Sequence, residues 1–200
     1  MVKAYASEEK RSLLVGAAKR LLHEQGFART TLAEVASGAG VPLGNLYYYF
    51  KTKELLAEAV IEEHKASLRT LFAGWVSAHR DPQARLRRLV RAPLDSVDAV
   101  IEFGCPHGSL CQELEKLGAD APLAKAGARL LMVYMDWAAK EFRALGVARS
   151  QARASAAELV AAVQGTMLLA HTLRSRALLV SQLRRIERSL DATLSTRTSS

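Results

Sequence analysis

Two short stretches of this 200-residue chain concentrate side chains suited to recognition or reaction. The first runs from Leu43 through Gly44, Asn45 and the triplet Tyr47-Tyr48-Tyr49 to Lys51 and Lys53. The Asn45 amide offers both a donor and an acceptor to the edge of a nucleic-acid base, while Leu43 and Gly44, apolar or small, sit at the exposed start of a helix. The tyrosine hydroxyls and the two ammonium groups suit a phosphate. Successive residues of a helix are turned by about 100°, so three adjacent tyrosines cannot all face inward, and at least one meets solvent or a partner. Core packing with a satisfied hydroxyl stays open for Tyr47 and Tyr49.

The second stretch is Cys105-Pro-His107-Gly-Ser-Leu-Cys111. Cys105, His107 and Cys111 supply three soft ligands with no evident fourth, so no metal is expected, and no cofactor. A thiol near a helix start and a histidine has a lowered pKa and reacts selectively, the chemistry of a redox or electrophile switch. Two small apolar cysteines packed in a pocket wall are the plainer account of the same residues.

Helices must position both stretches, because nearly every segment has helical rather than alternating periodicity. Leu14, Ala17, Ala18, Leu21 and Leu22 predict a first helix, N-capped by Ser7, favoured by Glu8 and Glu9 and stopped at Gly26. Thr31 and Glu34 form a capping box for a two-turn helix with Leu32, Val35 and Ala36 on its apolar face, ended by Gly38 and Gly40. Pro42 then prepares a third short helix, Leu43–Tyr49.

A longer helix follows from Thr52 and Glu54 to near His79, with Leu55, Leu56, Ala59, Val60, Leu68, Leu71, Phe72 and Trp75 as its buried stripe. Asp81-Pro82 opens another that continues through Ile101, with Pro93 able to kink it. After an irregular 104–108, a short helix begins at Ser109, and a long one runs from Asp120 and Pro122 to Gly146. The last two helices cover about 151–173 and 177–194, and 195–200 read as a frayed tail. Leu179, Leu183, Ile186 and Leu190 make a seam suited to another helix, and Ala156, Ala157, Ala161, Ala162, Gly165 and Ala170 keep the preceding helix thin. That pair either packs on its own copy or simply covers its own core. The expected fold is all-α with about nine helices: a three-helix helix-turn-helix module and a C-terminal bundle.

Composition agrees with this and excludes other classes. With 50% hydrophobic and 24% charged residues the chain can build a core without metals or disulfides. No stretch approaches the ~18 apolar residues of a membrane span and the N-terminus lacks a signal-peptide core, so a cytoplasmic location is expected. The two cysteines are expected to be reduced. A net charge of +8 favours a polyanionic partner, and residues 1–53 carry eight Lys/Arg against four Asp/Glu. The clusters Arg85, Arg87, Arg88, Arg91 and Arg184, Arg185, Arg188 read as solvated helical faces. No HExxH, GxSxG, P-loop or dinucleotide fingerprint occurs and the histidines are scattered, so an enzyme is not expected.

Residues 10–64, above all TTLAEVASGAGVPLGNLYYYFKTKELL from Thr30 to Leu56, resemble the DNA-binding module of the tetracycline-repressor (TetR/AcrR) family of bacterial regulators. The resemblance implies a homodimer paired through its two C-terminal helices, with residues 1–53 as DNA-binding domain and 54–200 as ligand-binding and dimerisation domain. By position, Leu43, Gly44, Asn45 and Tyr48 would touch bases, and Thr31, Tyr47, Tyr49 and Lys53 would hold phosphates of a palindromic double-stranded operator. Leu43 departs from the polar residue many relatives carry, which shifts base reading toward Asn45 and contact with a thymine methyl. The Gly-Cys-x-x-Gly pattern is similar to a stretch in several sensor domains of the family, some of which detect electrophiles or oxidants with a cysteine. A small-molecule pocket among Phe103, Cys105, His107, Cys111, Met132, Met135, Trp137, Met167 and His171 is the general expectation, although each residue singly fits plain core. The reading is a ligand-released transcriptional repressor; the alternatives are an architectural protein that binds DNA without sequence preference, or a helical enzyme without a recognised motif.

Overall fold

The computed structural model describes residues 2–198, with side chains from 7 to 194. Helix α1 (Val2–Glu24) is followed by a single turn, α2 (Gly26–Arg29), then α3 (Leu32–Gly38), α4 (Leu43–Tyr49) and α5 (Lys53–Ala78). Next come α6 (Pro82–Arg91), a 3-10 segment (Ala92–Ser96), α7 (Val97–Phe103), α8 (Pro106–Glu115), α9 (Pro122–Ala144), α10 (Arg149–Thr172) and α11 (Arg176–Thr198). Among the described residues there is no strand. The eleven α-helices among the described residues exceed the expected nine by two short segments: the turn α2, and α7, which Pro93 separates from α6 because its ring cannot continue an α-helical hydrogen-bond ladder. Asp81 caps α6 through Gln83 N and Ala84 N.

Local expectations fail where distant packing decides. Ser7 is not a cap, because α1 is already helical from Val2; its hydroxyl instead meets Tyr49. Leu55 and Leu71 are 46% and 43% exposed, while Ala57, Ile61 and His64 are buried, so the stripe of α5 is rotated from the expected one. The irregular stretch is shorter than expected, because α8 begins at Pro106 rather than Ser109 and takes His107 and Gly108 into its first turns. Helix α11 continues to Thr198 through most of the expected frayed tail, and 199–200 lie outside the described residues.

Two compact units divide the chain. The first comprises residues 1–67 and 106–130. In it α1 packs on α2, α3 and α8, and α3 on α4, around Leu14, Leu22, Val35, Leu46, Leu56 and Leu114. The second comprises 68–105 and 131–200. There α10 packs on α11 and α7, α11 packs on α6, and Phe72 stacks on Trp137 with ring centroids 4.4 Å apart.

In the second unit the arginine run of α6 is only partly the solvated face its sequence suggests: Arg91 is exposed and Arg87 and Arg88 half-buried, but Arg85 is not. Arg85 is buried and donates to Glu141 (2.6 Å) and to the carbonyls of His79 and Arg80. Arg87 pairs with Asp191, Arg88 with Asp95 and Arg91 with Glu187. Helical spacing placed these residues correctly on one helix but could not reveal partner acids that lie outside it, 7 to 104 positions away. Arg184, Arg185 and Arg188 are exposed as expected. The seam Leu179, Leu183 and Leu190 is buried in its own unit, and both cysteines are free thiols.

Candidate nucleic-acid interface

The site is built by three consecutive local devices. Thr31 accepts from Glu34 N (3.2 Å), and the Glu34 carboxylate accepts from Thr31 N and from its hydroxyl, both at 2.8 Å. This reciprocal cap satisfies amides that a helix start leaves without partners. The hydrogen bonds from Thr31 hold the Glu34 carboxyl below its ordinary pKa. The turn after α3 is made by Gly40, whose φ of +65° is a left-handed conformation open to glycine at little cost. Val41 N then donates to Ala36 O (3.0 Å), and Pro42 N-caps α4, its carbonyl accepting from Asn45 N (2.9 Å).

Helix α4 is two-faced. Leu46 and the following Phe50 are buried at 0% and 4% exposure and anchor it to the first unit. Leu43, Gly44, Asn45, Tyr47 and Tyr48 are exposed, with Tyr48 at 75%. Positions 43, 44, 47 and 48 share a face because they recur one turn apart. Among the described residues that face is left to solvent except for the ring of Tyr48 against Tyr49. Its edges are tied down: Tyr49 is half-buried with its hydroxyl 3.2 Å from Ser7 Oγ, its ring edge-on to Tyr48 at 5.1 Å. Lys53 donates to Phe27 O (2.8 Å) and Ala28 O (3.3 Å) and lies 4.4 Å over the Phe27 ring.

Thus Leu43, Gly44, Asn45, Tyr47, Tyr48 and the exposed Thr31 are brought to the surface of one module, while Tyr49 and Lys53 also hold that module together. Sequence reasoning missed Glu113 of α8, whose carboxylate accepts from the amides of Phe27 and Ala28. Gly26, at φ +85°, presents no Cβ to that carboxylate; an added methyl would lie 2.3 Å from Glu113 Oε1. The only local sign of this contact is the glycine itself.

The expected sensor residues are divided. His107 and Cys111 belong to the first unit, and Phe103, Cys105, Met132, Met135, Trp137, Met167 and His171 to the second. His107 Nε2 lies 3.0 Å from His64 Nδ1, with the rings edge to face. Burial, then the positive charge of His107, Lys19 and His23, pushes His64 down to about 3. Burial, then Lys19 and His23, lowers His107 to about 4. Cys111 donates its thiol proton to Gly127 O at 3.1 Å, and Cys105 is buried. Met167 is also buried, Phe103, Met132, Met135, Trp137 and His171 are half-buried, and His171 Nδ1 is 3.1 Å from Ile101 O. Among the described residues no group of three or more His, Cys, Asp or Glu could hold a metal ion, and no helix is long and apolar enough to cross a membrane.

A capped helix, a glycine turn and a second helix with one anchored and one open face define a helix-turn-helix DNA-binding protein. The comparisons name the group. Residues 14–60 match the family described as bacterial regulatory proteins, tetR family. An uncharacterized HTH-type transcriptional regulator in the lacX 3'region of Lactococcus lactis subsp. lactis is 27% identical over 84% of this chain and 86% of its own. The HTH-type transcriptional regulator LmrA of Bacillus subtilis (strain 168) is 26% identical over 84% and 89%. The fold matches a TetR transcriptional regulator from Legionella pneumophila with a TM-score of 0.78, at 16% identity over 88% of this chain and 95% of that one. Residues 14–60 thus carry the DNA-binding module of the tetR family, and over most of its length the chain is similar to DNA-binding transcriptional regulators.

Proposed function

We propose that this regulator is a repressor which binds a two-fold symmetric operator as a homodimer in the bacterial cytoplasm and leaves it when a small molecule binds. One observation carries the DNA half: the anchored α4 leaves Leu43, Gly44, Asn45, Tyr47 and Tyr48 on an open face. Leu43, Gly44, Asn45 and Tyr48 read bases, and Thr31, Tyr47, Tyr49 and Lys53 hold phosphates. An ammonium has three N–H donors. Lys53 spends two on α2, which leaves one for a phosphate. We place the functional boundary at residues 53 and 54, where α5 begins, with 1–53 reading DNA and 54–200 sensing and dimerising.

For the dimer we infer contact through α10 and α11. Ala157, Ala161 and Leu168 are exposed on one face of α10, beside Leu169 and Leu173 at 52% and 61% exposure. Small residues let a second copy approach closely, and the leucines give it apolar area to bury. For the effector we propose a pocket in the second unit drawn from Phe103, Cys105, Met132, Met135, Trp137, Met167 and His171. A ligand that binds one conformation of the dimer more tightly than the other shifts the population away from the DNA-bound state.

The test is a duplex obtained by in vitro selection against the full chain. A recurrent palindrome is expected, with affinity that falls steeply with salt. Asn45→Ala and Tyr48→Ala are each expected to cost about 1–3 kcal/mol of operator affinity with unfolding unchanged. Equal affinity for unrelated duplexes would instead identify an architectural DNA-binding protein, and wild-type affinity in both variants would remove α4 from the interface.

A further inference from the structure

Five arginines of the second unit meet carboxylates: Arg85, Arg87, Arg88, Arg91 and Arg176. Arg143, Arg149 and Arg153 are different. Among the described residues none of these three forms an ion pair, yet all three line one open surface hollow of about 220 Å³, together with Asp136 and Ala139. Asp136, Ala139 and Arg143 follow each other at helical spacing on α9, and Arg149 and Arg153 stand one turn apart on α10. The sequence from Phe142 to Ala157 contains no acid; of the two that flank it, Glu141 and Glu158, the first is paired with Arg85. The lining therefore holds three guanidinium groups against a single carboxylate.

We propose that this hollow is a binding site for a small, multiply charged oxyanion. The planar fork of a guanidinium matches the paired oxygens of a carboxylate or phosphate, and three forks bordering one space offer several such oxygens donors at once. Asp136 sharpens the choice. It offsets one of the three positive charges, so the lining keeps a net charge of two, which an anion carrying two negative charges matches in full and a monoanion only in half. The volume lies below the roughly 300–1,000 Å³ of pockets for drug-sized ligands, which fits a compact anion such as pyrophosphate or a tricarboxylate. The site is separate from the proposed effector residues and does not depend on the assignment of α4 to DNA.

The full chain is titrated, without DNA, with pyrophosphate or citrate at ionic strength held constant with sodium chloride, reading both heat of binding and unfolding midpoint. One saturable site per chain is expected for at least one anion, and which of the two saturates identifies phosphate-type or carboxylate-type chemistry. Arg149→Ala/Arg153→Ala should weaken it at least about tenfold, and Arg149→Lys/Arg153→Lys should fall between, since lysine keeps the charge but loses the fork. Arg184→Ala/Arg185→Ala, on the exposed face of α11, should leave it unchanged. All these side chains are exposed, so the variants keep their helical content, checked by circular dichroism. A response equal to that of chloride for both anions, or saturable binding that survives Arg149→Ala/Arg153→Ala, overturns the proposal.

Discussion

The reading helices and the second unit are held by contacts of opposite range. In α3 and α4 the decisive bonds join residues three to five apart: Thr31 with Glu34, Val41 with Ala36, Asn45 with Pro42. In the second unit they join Arg85 to Glu141, Arg91 to Glu187 and Arg87 to Asp191, separated by 56, 96 and 104 positions. Short-range bonds shape a helix pair without spending its outer surface, so α4 can leave all but one of the six positions from Leu43 to Tyr48 to solvent. Long-range pairs consume the charges they use. A regulator needs both, a surface left open for a partner and a body whose arrangement depends on distant groups staying together.

The largest expected effect breaks the second of these. Glu141 is 2% exposed and faces the buried Arg85, so Glu141→Ala strands a guanidinium in the interior and should cost about 3–5 kcal/mol of unfolding free energy in urea. Arg91→Ala, at the rim, should cost no more than about 1 kcal/mol, because its partner pair is solvated on the arginine side. Should Glu141→Ala leave no folded protein to measure, Arg85→Met/Glu141→Leu should restore it, since replacing both charges leaves no unpaired ion. Equal small losses for Glu141→Ala and Arg91→Ala would erase the distinction between buried and surface pairs.

A smaller effect, in the first unit, comes from acid. His64 and His107 titrate at about 3 and about 4 when folded, against 6.5 ordinarily. Between pH 6.5 and 4 the unfolded chain takes up protons that the folded chain refuses, so stability falls as pH falls through this window and the pair has no such effect above it. At pH 5 the loss is about 2 kcal/mol per imidazole. Urea midpoints at pH 7 and 5 should separate accordingly, and His107→Asn should reduce the separation. A wild-type midpoint unchanged between those two pH values would mean that both rings are protonated freely in the folded state.

This contrast in range also explains what could be read from the chain. The boundaries of α3 and α4 emerged residue by residue because Thr31, Glu34, Gly40 and Pro42 instruct only their neighbours. That at least one tyrosine faces outward was legible because three adjacent residues cannot share one inward face, while Tyr48 in particular was singled out by the resemblance. The acids facing α6 were not legible, nor was Glu113 on the amides of Phe27 and Ala28, for those partners come from helices that only the folded chain brings near. Leu55 and Leu71 were misplaced for a related reason: a helix as apolar as α5 offers more than one plausible buried stripe, and its neighbours choose. Gly108 suggested a break, but a residue in the first turns of α8 needs no helix-breaking role once Pro106 has started it.

The smallest effect tests whether the reading helices are as locally determined as their hydrogen bonds suggest. Thr31→Ala removes the oxygen that accepts from Glu34 N and the hydroxyl that donates to the Glu34 carboxylate, while Glu34 keeps the bond from the residue 31 amide. A lost cap of this kind costs about 1 kcal/mol, read as a shift in urea midpoint at unchanged slope. Thr31→Ser keeps the oxygen and should recover nearly all of it. Because the Thr31 bonds hold Glu34 below its ordinary pKa, the stabilisation they provide is present above the usual carboxylate range and fades as pH falls through the lowered value, so the difference between Thr31→Ala and wild type should narrow in acid. A Thr31→Ala loss comparable to that of Glu141→Ala would show that α3 and α4 owe their form to the tertiary body after all, and α4 would then present an open face only for as long as the rest of the first unit holds it there.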